Sequence, residues 1–436
     1  MKKVLLACTI CILAVSCYSQ FVPQPLNYPS PGYWPYYIAI SDPQHVWVGT
    51  IHESGIPYAS SVRTSDGGNT WIHSTIPVPG EPFCISICEW DANTCFYVFT
   101  DITEGGGSIW KTTDGGNTWT GLTTTQFEGG FANFFHAFSA DTGVAMGDPV
   151  NGYFEIQITN DGGATWSRVP SANIPEPLPD EWGLADQYSA VGNSVWFATN
   201  LGRCFRSADM GHNWSVTQVI DIGDGQFDVC FSSEMKGAFF NQDLTSSDIA
   251  VTYDGGVTWD SVAIPAGYYL MNMSNVGGFD GGYVYTAWKN STDVLFTPDM
   301  FAHNNEIGSN LMSIGSVDFE DAATGWIGGG ESGTNEILKF MGVLTSTGPI
   351  SQSYAGLSVI PNPSAGEVLI KLPESFNMDG LTLRITDLSG RMISEYRSLT
   401  SKYITIDATG YRNGLYLLEV SLDNEHIFCA KWIVKH

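Results

Sequence analysis

The chain has 436 residues, of which 43% are hydrophobic and 14% charged. A chain of this length and composition can form buried hydrophobic cores and fold. It has 45 acidic and 18 basic residues, so the formal net charge is −27 at pH 7. A surface this acidic repels phosphate backbones, which argues against nucleic acid and anionic glycans as partners, whereas cations and neutral sugars are compatible with it. The same charge would keep the protein soluble and monomeric.

The N-terminus has the features of a secretory signal peptide. Two lysines precede an apolar run over residues 4–15, which is too short to cross a bilayer, and small residues follow it. We expect residues 1–19 to be removed by cleavage after Ser19. Lipidation at Cys17 is the alternative, although the segment before it lacks the leucine usual in lipoproteins. No later stretch is apolar enough to span a membrane, so an integral membrane protein is not predicted.

An eight-residue phrase recurs five times in the first two-thirds of the chain. The copies are TSDGGNTW (64–71), TTDGGNTW (112–119), TNDGGATW (159–166), SADMGHNW (207–214) and TYDGGVTW (252–259). Their aspartates are separated by 48, 47, 48 and 45 residues. Repeats of this length are typical of solenoids and propellers.

Each copy predicts a tight β-hairpin turn, which we call a repeat turn. An aspartate can accept hydrogen bonds from nearby backbone N–H groups, and glycine supplies the positive φ that tight turns need. Threonine and tryptophan then resume a strand, and the indole anchors the hairpin on a core. The residues with these three roles are Asp66, Gly68, Trp71, Asp114, Gly116, Trp119, Asp161, Gly163, Trp166, Asp209, Gly211, Trp214, Asp254, Gly256 and Trp259.

Written as Ser/Thr-x-Asp-x-Gly-x-Thr-Trp, the phrase resembles the Asp-box of the BNR repeat family. Members include sialidases, xyloglucanases, sortilin-like receptors and photosystem assembly factors, so the resemblance implies a fold and no particular activity. A sialidase is not expected, because that family's arginine clamp and Arg-Ile-Pro motif have no counterpart here. Xyloglucanase-like enzymes pair two propellers across a cleft, and this chain has room for one.

We predict an all-β fold with a single β-propeller of about seven four-stranded blades over residues 20–345. Apolar segments precede the repeat turns, and two more units follow the last good copy. Asp299, 45 residues after Asp254, marks a degenerate copy. A propeller closes on itself and leaves only short edges. Residues 21–37 are expected to supply the closing strand, and six or eight blades are the alternatives.

A second unit is predicted after a polar linker, residues 346–356. Residues 357–436 contain about seven short alternating runs, typical of a small immunoglobulin-like β-sandwich. Several phrases of this segment, in the right order, resemble the type A sorting domain of the type IX secretion system. The matching features are Pro361-Asn362-Pro363 with Gly366, Asp387-Leu388-Ser389-Gly390-Arg391, Gly414-Leu415-Tyr416, and a basic tail with Lys431 and Lys435. The resemblance implies handling by type IX secretion machinery, export across the outer membrane, and surface attachment or release.

Six cysteines follow the predicted signal peptide, and an exported protein could oxidise them. Cys88 and Cys95 flank the turn at residues 91–93 symmetrically, so a cross-strand disulfide is one hypothesis. Buried free thiols, which behave as small hydrophobes, are the other. No cysteine or histidine cluster has zinc spacing.

The predicted ligand face is the one opposite the repeat turns, formed by the 2–3 turns of the blades and the blade-to-blade connections, where related enzymes bind substrates. A glycosidase needs two carboxyl groups at a defined separation. The candidates on this face are Asp101, Asp148, Glu181 and Asp243. Trp182, in the longest connection, and Tyr268 could stack on a sugar ring.

The leading functional hypothesis is an exported binding module for a neutral glycan or another surface protein. The alternatives are a glycoside hydrolase or lyase that uses carboxylates of the ligand face, and a purely structural or adhesive surface component. No cofactor is predicted. A structural Ca²⁺ held by the repeat-turn aspartates is a further alternative, although their own turn amides would use those carboxylates more simply.

Overall fold

A computed structural model describes residues 20–28, 32–52, 55, 58–101, 103, 105–123, 126–243, 248–311, 314–329, 336–345, 358–372, 381–387, 391–397, 399, 401–422 and 425–436. The predicted signal peptide with Cys17 and the predicted linker lie outside these ranges. The described residues form two compact units, one within Gln20–Pro349 and one within Ile350–His436. Their regular structure is almost entirely β, with two short 3-10 helices at Ser171–Asn173 and Ala408–Gly410.

Seven four-stranded antiparallel sheets make up the described part of the first unit. We number them as blades in chain order, and β1 (Phe21–Pro25) precedes blade 1. Blades 1 to 3 consist of β2 (Tyr33–Ile40), β3 (Val46–His52), β4 (Ser60–Thr64) and β5 (Ile72–Thr75); β6 (Pro82–Glu89), β7 (Cys95–Asp101), β8 (Ser108–Thr112) and β9 (Thr120–Gly121); and β10 (Ala132–Ala137), β11 (Gly143–Val150), β12 (Tyr153–Thr159) and β13 (Ser167–Arg168).

Blades 4 to 7 repeat this arrangement. They consist of β14 (Gly183–Val191), β15 (Ser194–Thr199), β16 (Arg203–Ser207) and β17 (Ser215–Gln218); β18 (Phe227–Phe231), β19 (Gly237–Asn241), β20 (Ile249–Thr252) and β21 (Asp260–Val262); β22 (Tyr269–Asn275), β23 (Tyr283–Trp288), β24 (Thr292–Thr297) and β25 (Asn305–Leu311); and β26 (Ile314–Asp321), β27 (Thr324–Gly329) and β28 (Glu336–Phe340), completed by β1.

The N-terminal strand closes the ring. β1 pairs antiparallel with β28, with Phe21 opposite Phe340, and so becomes the fourth strand of blade 7. The first strands of the blades contact one another in the cyclic order β2, β6, β10, β14, β18, β22, β26 and back to β2. The single seven-bladed propeller is therefore confirmed, whereas the six- and eight-bladed alternatives were wrong. The closing strand occupies part of the predicted stretch, since Tyr33–Ile40 already belongs to blade 1.

The repeat turns connect the third and fourth strands of blades 1 to 5. In blade 1, the Thr64 hydroxyl donates to Oδ1 of Asp66 at 2.8 Å and accepts from the Gly68 amide at 2.9 Å. Asp66 also accepts from the amide and hydroxyl of Thr70, at 2.8 and 2.6 Å. The same contacts recur at Asp114, Asp161, Asp209 and Asp254. In each of these turns, therefore, the aspartate accepts hydrogen bonds from the residue that follows the turn glycine by two positions.

The degenerate copy in blade 6 keeps the same hydrogen bonds with different residues. The Thr297 hydroxyl accepts from the Phe301 amide at 2.8 Å, and Asp299 accepts from the amide of His303 at 2.9 Å. Phe301 stands where the other copies have glycine and keeps a positive φ of 67°. Because this conformation disfavours a side chain, the blade 6 turn is the least favourable copy.

Hydrophobic packing lies mainly between adjacent blades. One buried cluster fills each blade-to-blade interface, including the interface between blades 7 and 1. The repeat-turn tryptophans contribute to these seams. The indole N–H of Trp119 donates to Ser74 of blade 1 at 3.2 Å, and that of Trp166 donates to the Leu122 carbonyl of blade 2 at 3.1 Å. The predicted anchors therefore join blades as well as hairpins.

The second unit is a sandwich of two sheets. One sheet contains β29 (Ser358–Ile360), β30 (Glu367–Lys371) and β33 (Tyr403–Asp407). The other has the order β32 (Met392–Arg397), β31 (Leu381–Asp387), β34 (Gly414–Leu422) and β35 (Glu425–Val434). Apolar residues of both sheets share one buried cluster, which confirms the predicted β-sandwich.

The Pro-Asn-Pro segment of the sandwich is attached to its last strand. Asn362 accepts a hydrogen bond from the Ile433 amide at 2.8 Å, and the indole N–H of Trp432 donates to the Ser364 hydroxyl at 2.6 Å. The Ser364 carbonyl accepts from the Lys435 amide at 2.9 Å. These contacts bring together phrases from opposite ends of the unit.

Candidate functional site

The alternation of antiparallel strands gives the propeller two faces. The repeat turns and the 1–2 turns lie on one, which we call the repeat-turn face. The 2–3 turns, which join the second and third strands of a blade, and the blade-to-blade connections lie on the other face, which we call the connection face. The four candidate carboxylates and both candidate stacking rings belong to segments of the connection face or to the strand ends that reach it.

Asp148, at the end of blade 3's second strand, links two blades. Its Oδ1 accepts from the Asn133 side-chain amide at 2.8 Å and from the Gly183 backbone amide, at the start of blade 4, at 3.0 Å. Burial raises the pKa of Asp148, and these two hydrogen bonds oppose that effect. The carboxylate therefore joins blades 3 and 4.

Glu181 is buried in the connection between blades 3 and 4. Its Oε1 accepts from the Thr199 hydroxyl at 2.7 Å and lies 3.3 Å from Nε of Arg203, and its Oε2 accepts from the Leu178 amide at 2.7 Å. Both oxygens are thus occupied by the protein itself. A general acid needs a carboxyl group that can reach the substrate, and Glu181 does not offer one in this arrangement.

Asp101 and Asp243 lie in other blades. Asp101 accepts from the Glu81 amide at 3.1 Å and from the amide and hydroxyl of Thr103 at 2.9 and 2.7 Å, so it caps the 2–3 turn of blade 2. Asp243 begins the 2–3 loop of blade 5, and its backbone amide donates to Asn241 at 3.0 Å. The four candidates are distributed over blades 2 to 5.

The two candidate stacking rings differ in accessibility. Trp182 is 40% exposed on the connection face. Tyr268 is only 9% exposed, its hydroxyl donates to Asp293 at 3.1 Å, and the Lys289 ammonium lies 4.8 Å from its ring centre. Trp182 can therefore meet a ligand, whereas Tyr268 already packs within its own blade, contrary to the stacking role expected for it.

The structure also corrects the disulfide hypothesis. Cys88 lies opposite Phe96, and Cys95 lies opposite Glu89, so the two cysteines occupy positions one residue out of register. Neighbouring strand positions point to opposite sheet faces, which sends Cys88 and Cys95 into different hydrophobic clusters. Both are buried free thiols, as are Cys84, Cys204 and Cys230.

A cavity of about 280 Å³ occupies the centre of the ring and is lined by the first strands of all seven blades. Four carboxyl groups, from four different blades, face it: Glu89, Asp186, Asp228 and Asp318. No lysine or arginine belongs to the described lining. Asp186 enters the cavity through a wide bulge in β14, where the pairing jumps between Gly183 and Tyr188.

Burial governs the protonation of this central cluster. It raises the pKa of Glu89 to about 8 and the pKa values of Asp186 and Asp318 to about 7, and it raises the pKa of Asp228 well above its usual value. Burial also lowers the pKa of His136 in the same cavity to about 4, so this histidine supplies no positive charge at neutral pH.

Three segments of the connection face meet around Asn200, which is buried. Its side chain accepts from the Trp182 amide at 2.9 Å and donates to the Asp180 carbonyl at 3.1 Å and to Asp224 at 2.9 Å. We call the assembled residues 174–182, 200–202 and 219–226 the blade-4 platform. It presents three exposed large apolar side chains, Leu178, Trp182 and Ile222.

Sequence reasoning found Trp182 but missed the central carboxyl cluster and the role of Asn200. The cluster had one readable signal, because Asp228 stands inside an otherwise apolar strand. In the structure this position of the first strand of blade 5 faces the central cavity. Asn200 gave no signal, since the partners of its side chain are 18 to 24 residues away in the sequence.

Within the described residues, no three or more histidine, cysteine, aspartate or glutamate side chains are grouped so as to hold a metal ion. The structural Ca²⁺ suggested by the sequence stays a prediction. Nor does any helix in the described ranges have the length and hydropathy to cross a bilayer.

Comparison with known protein families identifies the C-terminal unit. The fold is that of a β-propeller followed by a β-sandwich, and residues 358–435 match the family described as the secretion system C-terminal sorting domain. The chain is thus a β-propeller protein with a type IX sorting domain. It is exported through the periplasm and is secreted or attached to the outer cell surface.

Solved structures support the propeller. YCF48 bound to a D1 peptide has 14% identity and a TM-score of 0.55, covering 75% of this chain and 97% of its own. YCF48 from Cyanidioschyzon merolae has 13% identity and a TM-score of 0.53, with coverages of 73% and 98%. The GH74 xyloglucanase from Xanthomonas campestris has 9% identity and a TM-score of 0.52, with coverages of 94% and 68%. At these identities the likeness shows the fold alone. No curated protein matches the chain.

Proposed function

We propose that this exported propeller is a binding module that holds a surface partner, a protein or a neutral glycan, on its connection face. The observation that carries the proposal is the contrast on that face between occupied carboxylates and exposed apolar groups. Asp148 and Glu181 accept hydrogen bonds from their own blades, whereas Trp182 lies open to solvent beside them. Tryptophan is enriched among the side chains that dominate binding energy, so an exposed Trp182 beside occupied carboxylates favours a role in recognition.

The similar folds are compatible with this proposal. YCF48 has been solved with a bound D1 peptide, so a propeller of this kind can hold a polypeptide. The xyloglucanase neighbour keeps a glycoside hydrolase as the second candidate. That candidate requires two carboxyl groups at a defined separation that are free to reach a substrate.

One experiment distinguishes a binding module from a glycoside hydrolase. The purified protein, starting at residue 20, is applied to cells that lack it, to a glycan array, and to a panel of chromogenic glycosides. We expect saturable binding to the cells or the array, with no turnover. Turnover that disappears in a folded Asp148→Asn or Glu181→Gln variant would instead establish the hydrolase. No binding and no turnover, combined with an adhesion defect in cells lacking the protein, would establish a structural component.

A further inference from the structure

We infer that the blade-4 platform docks a basic polypeptide segment that places an apolar side chain against Trp182. This inference rests on the proposed binding function and specifies where the partner binds and what its chemistry is. It depends on three properties of the platform: its rigidity, its exposed apolar side chains, and exposed charges that are all negative.

The platform is held in a fixed shape by hydrogen bonds between its three segments. The side chain of Asn200 contacts Trp182, Asp180 and Asp224, and its backbone carbonyl accepts a hydrogen bond from the Gly225 amide at 2.8 Å. The amides of Val219 and Ile220 both donate to the Gly202 carbonyl, at 3.0 and 3.2 Å. A Cβ at Gly202 would overlap the Ile220 carbonyl, so the 2–3 turn and the following connection lie in direct contact.

The longest segment of the platform is stiffened further. Its sequence Pro175-Glu176-Pro177-Leu178-Pro179 fixes φ at every second residue. The Arg203 guanidinium reaches under it and donates to the Glu176 carbonyl at 3.2 Å, while its Nε lies 3.3 Å from Glu181. Little conformational entropy is left to lose when a partner binds, which favours affinity.

The platform carries three large apolar side chains that are exposed to solvent. Leu178 is 43% exposed, Trp182 40% and Ile222 50%. Clustered exposure of large apolar side chains marks interaction sites, and tryptophan is enriched among the residues that dominate binding energy. A partner that covers these three groups must bring apolar surface of its own.

The polar groups around them have a single sign of charge. Glu176, Asp180, Asp221 and Asp224 are exposed, and the only basic residue at the platform, Arg203, is buried beneath it. A lysine- or arginine-rich segment complements this rim, and attraction would speed its encounter. A neutral glycan would leave the charge unused. A second copy of this chain, with its net charge of −27, would be repelled.

The test uses the protein from residue 20 and a fluorescent nonapeptide in which arginines flank two leucines. Fluorescence anisotropy measures binding at low and high salt. Trp182→Ala removes the tryptophan contact, and the double variant Asp180→Asn, Asp221→Asn removes two negative charges without changing the size of the side chains. Trp90→Ala is the matched control, because Trp90 is 41% exposed but lies on the repeat-turn face. Circular dichroism melts verify that each variant is folded.

We expect saturable binding that Trp182→Ala weakens by about tenfold or more, the range of a dominant interface residue. The double variant should bind more weakly and lose most of its salt dependence. Trp90→Ala should bind like the wild type. A peptide with serine for leucine, and one with glutamine for arginine, should each bind less well.

The inference is overturned if folded Trp182→Ala binds the peptide like the wild type, or if the glutamine peptide binds equally well. It is also overturned if the wild type does not bind the peptide, and if the wild type and Trp182→Ala bind cells or the glycan array equally strongly. In that case the proposed binding function stands and only the platform assignment fails. If the wild type binds peptide, cells and glycans to no measurable extent, both proposals fail together.

Discussion

Gly68 lies directly against the indole of Trp326, and this contact joins the first blade to the last. A Cβ added at Gly68 would overlap the six-membered ring of Trp326. Trp71 packs edge-on against the same indole, with ring centres 5.6 Å apart. Corresponding glycines of the other repeat turns, such as Gly163 and Gly211, approach the preceding blade in the same way. The glycine therefore allows two adjacent blades to pack closely, in addition to allowing the turn.

This contact predicts that Gly68→Ala destabilises the propeller more than a glycine substitution at the same φ in open space. Gly278 is the matched control, since both residues have φ of 90° but a Cβ at Gly278 meets no atom within 4 Å. The positive φ costs about 1 kcal/mol in either variant. Overpacking adds about 1–3 kcal/mol at Gly68 alone. Equal melting temperatures for the two variants would show that the seam tolerates a methyl group.

Trp119 provides a second test of the seam. Its indole packs against Trp47 and Tyr97, with ring centres 6.4 and 5.2 Å away. We expect Trp119→Ala to lower the free energy of unfolding by about 3 kcal/mol, at the lower end of the range for tryptophan truncation because the ring is only partly buried. Trp90→Ala, at an exposed ring, should have little effect. Thermal or urea unfolding followed by circular dichroism measures both.

The carboxyl groups that face the central cavity predict an unusual pH dependence of stability. Since their folded pKa values, about 8 for Glu89 and about 7 for Asp186 and Asp318, lie above the unfolded values near 4, the folded protein binds more protons. Their stabilising contribution is complete below about pH 4 and is lost as the pH rises through 7 to 8. The melting temperature should therefore fall between pH 4 and pH 8.

The repeat-turn aspartates determine how the stability of the protein changes at acid pH. Hydrogen bonds from Thr70 and Thr258 lower the pKa values of Asp66 and Asp254 to about 2, so their contribution is present above about pH 4 and is lost as the pH falls toward 2. Stability should peak near pH 4. Glu89→Gln should flatten the decline above that pH, whereas Asp260→Asn, at an exposed strand position, should leave it unchanged. A wild-type curve that rises from pH 4 to pH 8 would contradict this account.

The five buried cysteines of the propeller should behave as unreactive thiols. Burial raises the pKa of Cys88 to about 12 and raises that of Cys95 as well, which disfavours the reactive thiolate. We expect slow alkylation by iodoacetamide in the native state and complete alkylation in denaturant. The intact mass should be the same with and without reductant. A mass two hydrogens lower without reductant, with a linked peptide containing Cys88 and Cys95, would reinstate the disulfide.

What the sequence revealed depended on how far apart the interacting residues are. The repeat turns were readable because Thr64, Asp66, Gly68 and Thr70 lie within seven residues and make their hydrogen bonds locally. The central carboxyl cluster was readable only at Asp228, which interrupts an apolar strand, because its four members meet only when the ring closes. The register of Cys88 and Cys95 depended on the hydrogen bonds of one short turn, and a shift of a single position reverses which face a side chain occupies.

The sorting sandwich predicts a separation between folding and export. Trp432 is fully buried in the sandwich core and donates to Ser364, so Trp432→Ala should cost about 3–5 kcal/mol, a large part of the stability of so small a unit. The propeller has its own cores and should remain folded. We therefore expect Trp432→Ala, and equally a chain ending at residue 345, to accumulate in the periplasm, whereas Met392→Ala, at an exposed position, should leave the cell normally. Immunoblots of cell fractions and medium, with limited proteolysis to confirm a folded propeller, make the measurement. A chain ending at residue 345 that still reached the medium or the outer surface would show that export does not depend on the sandwich.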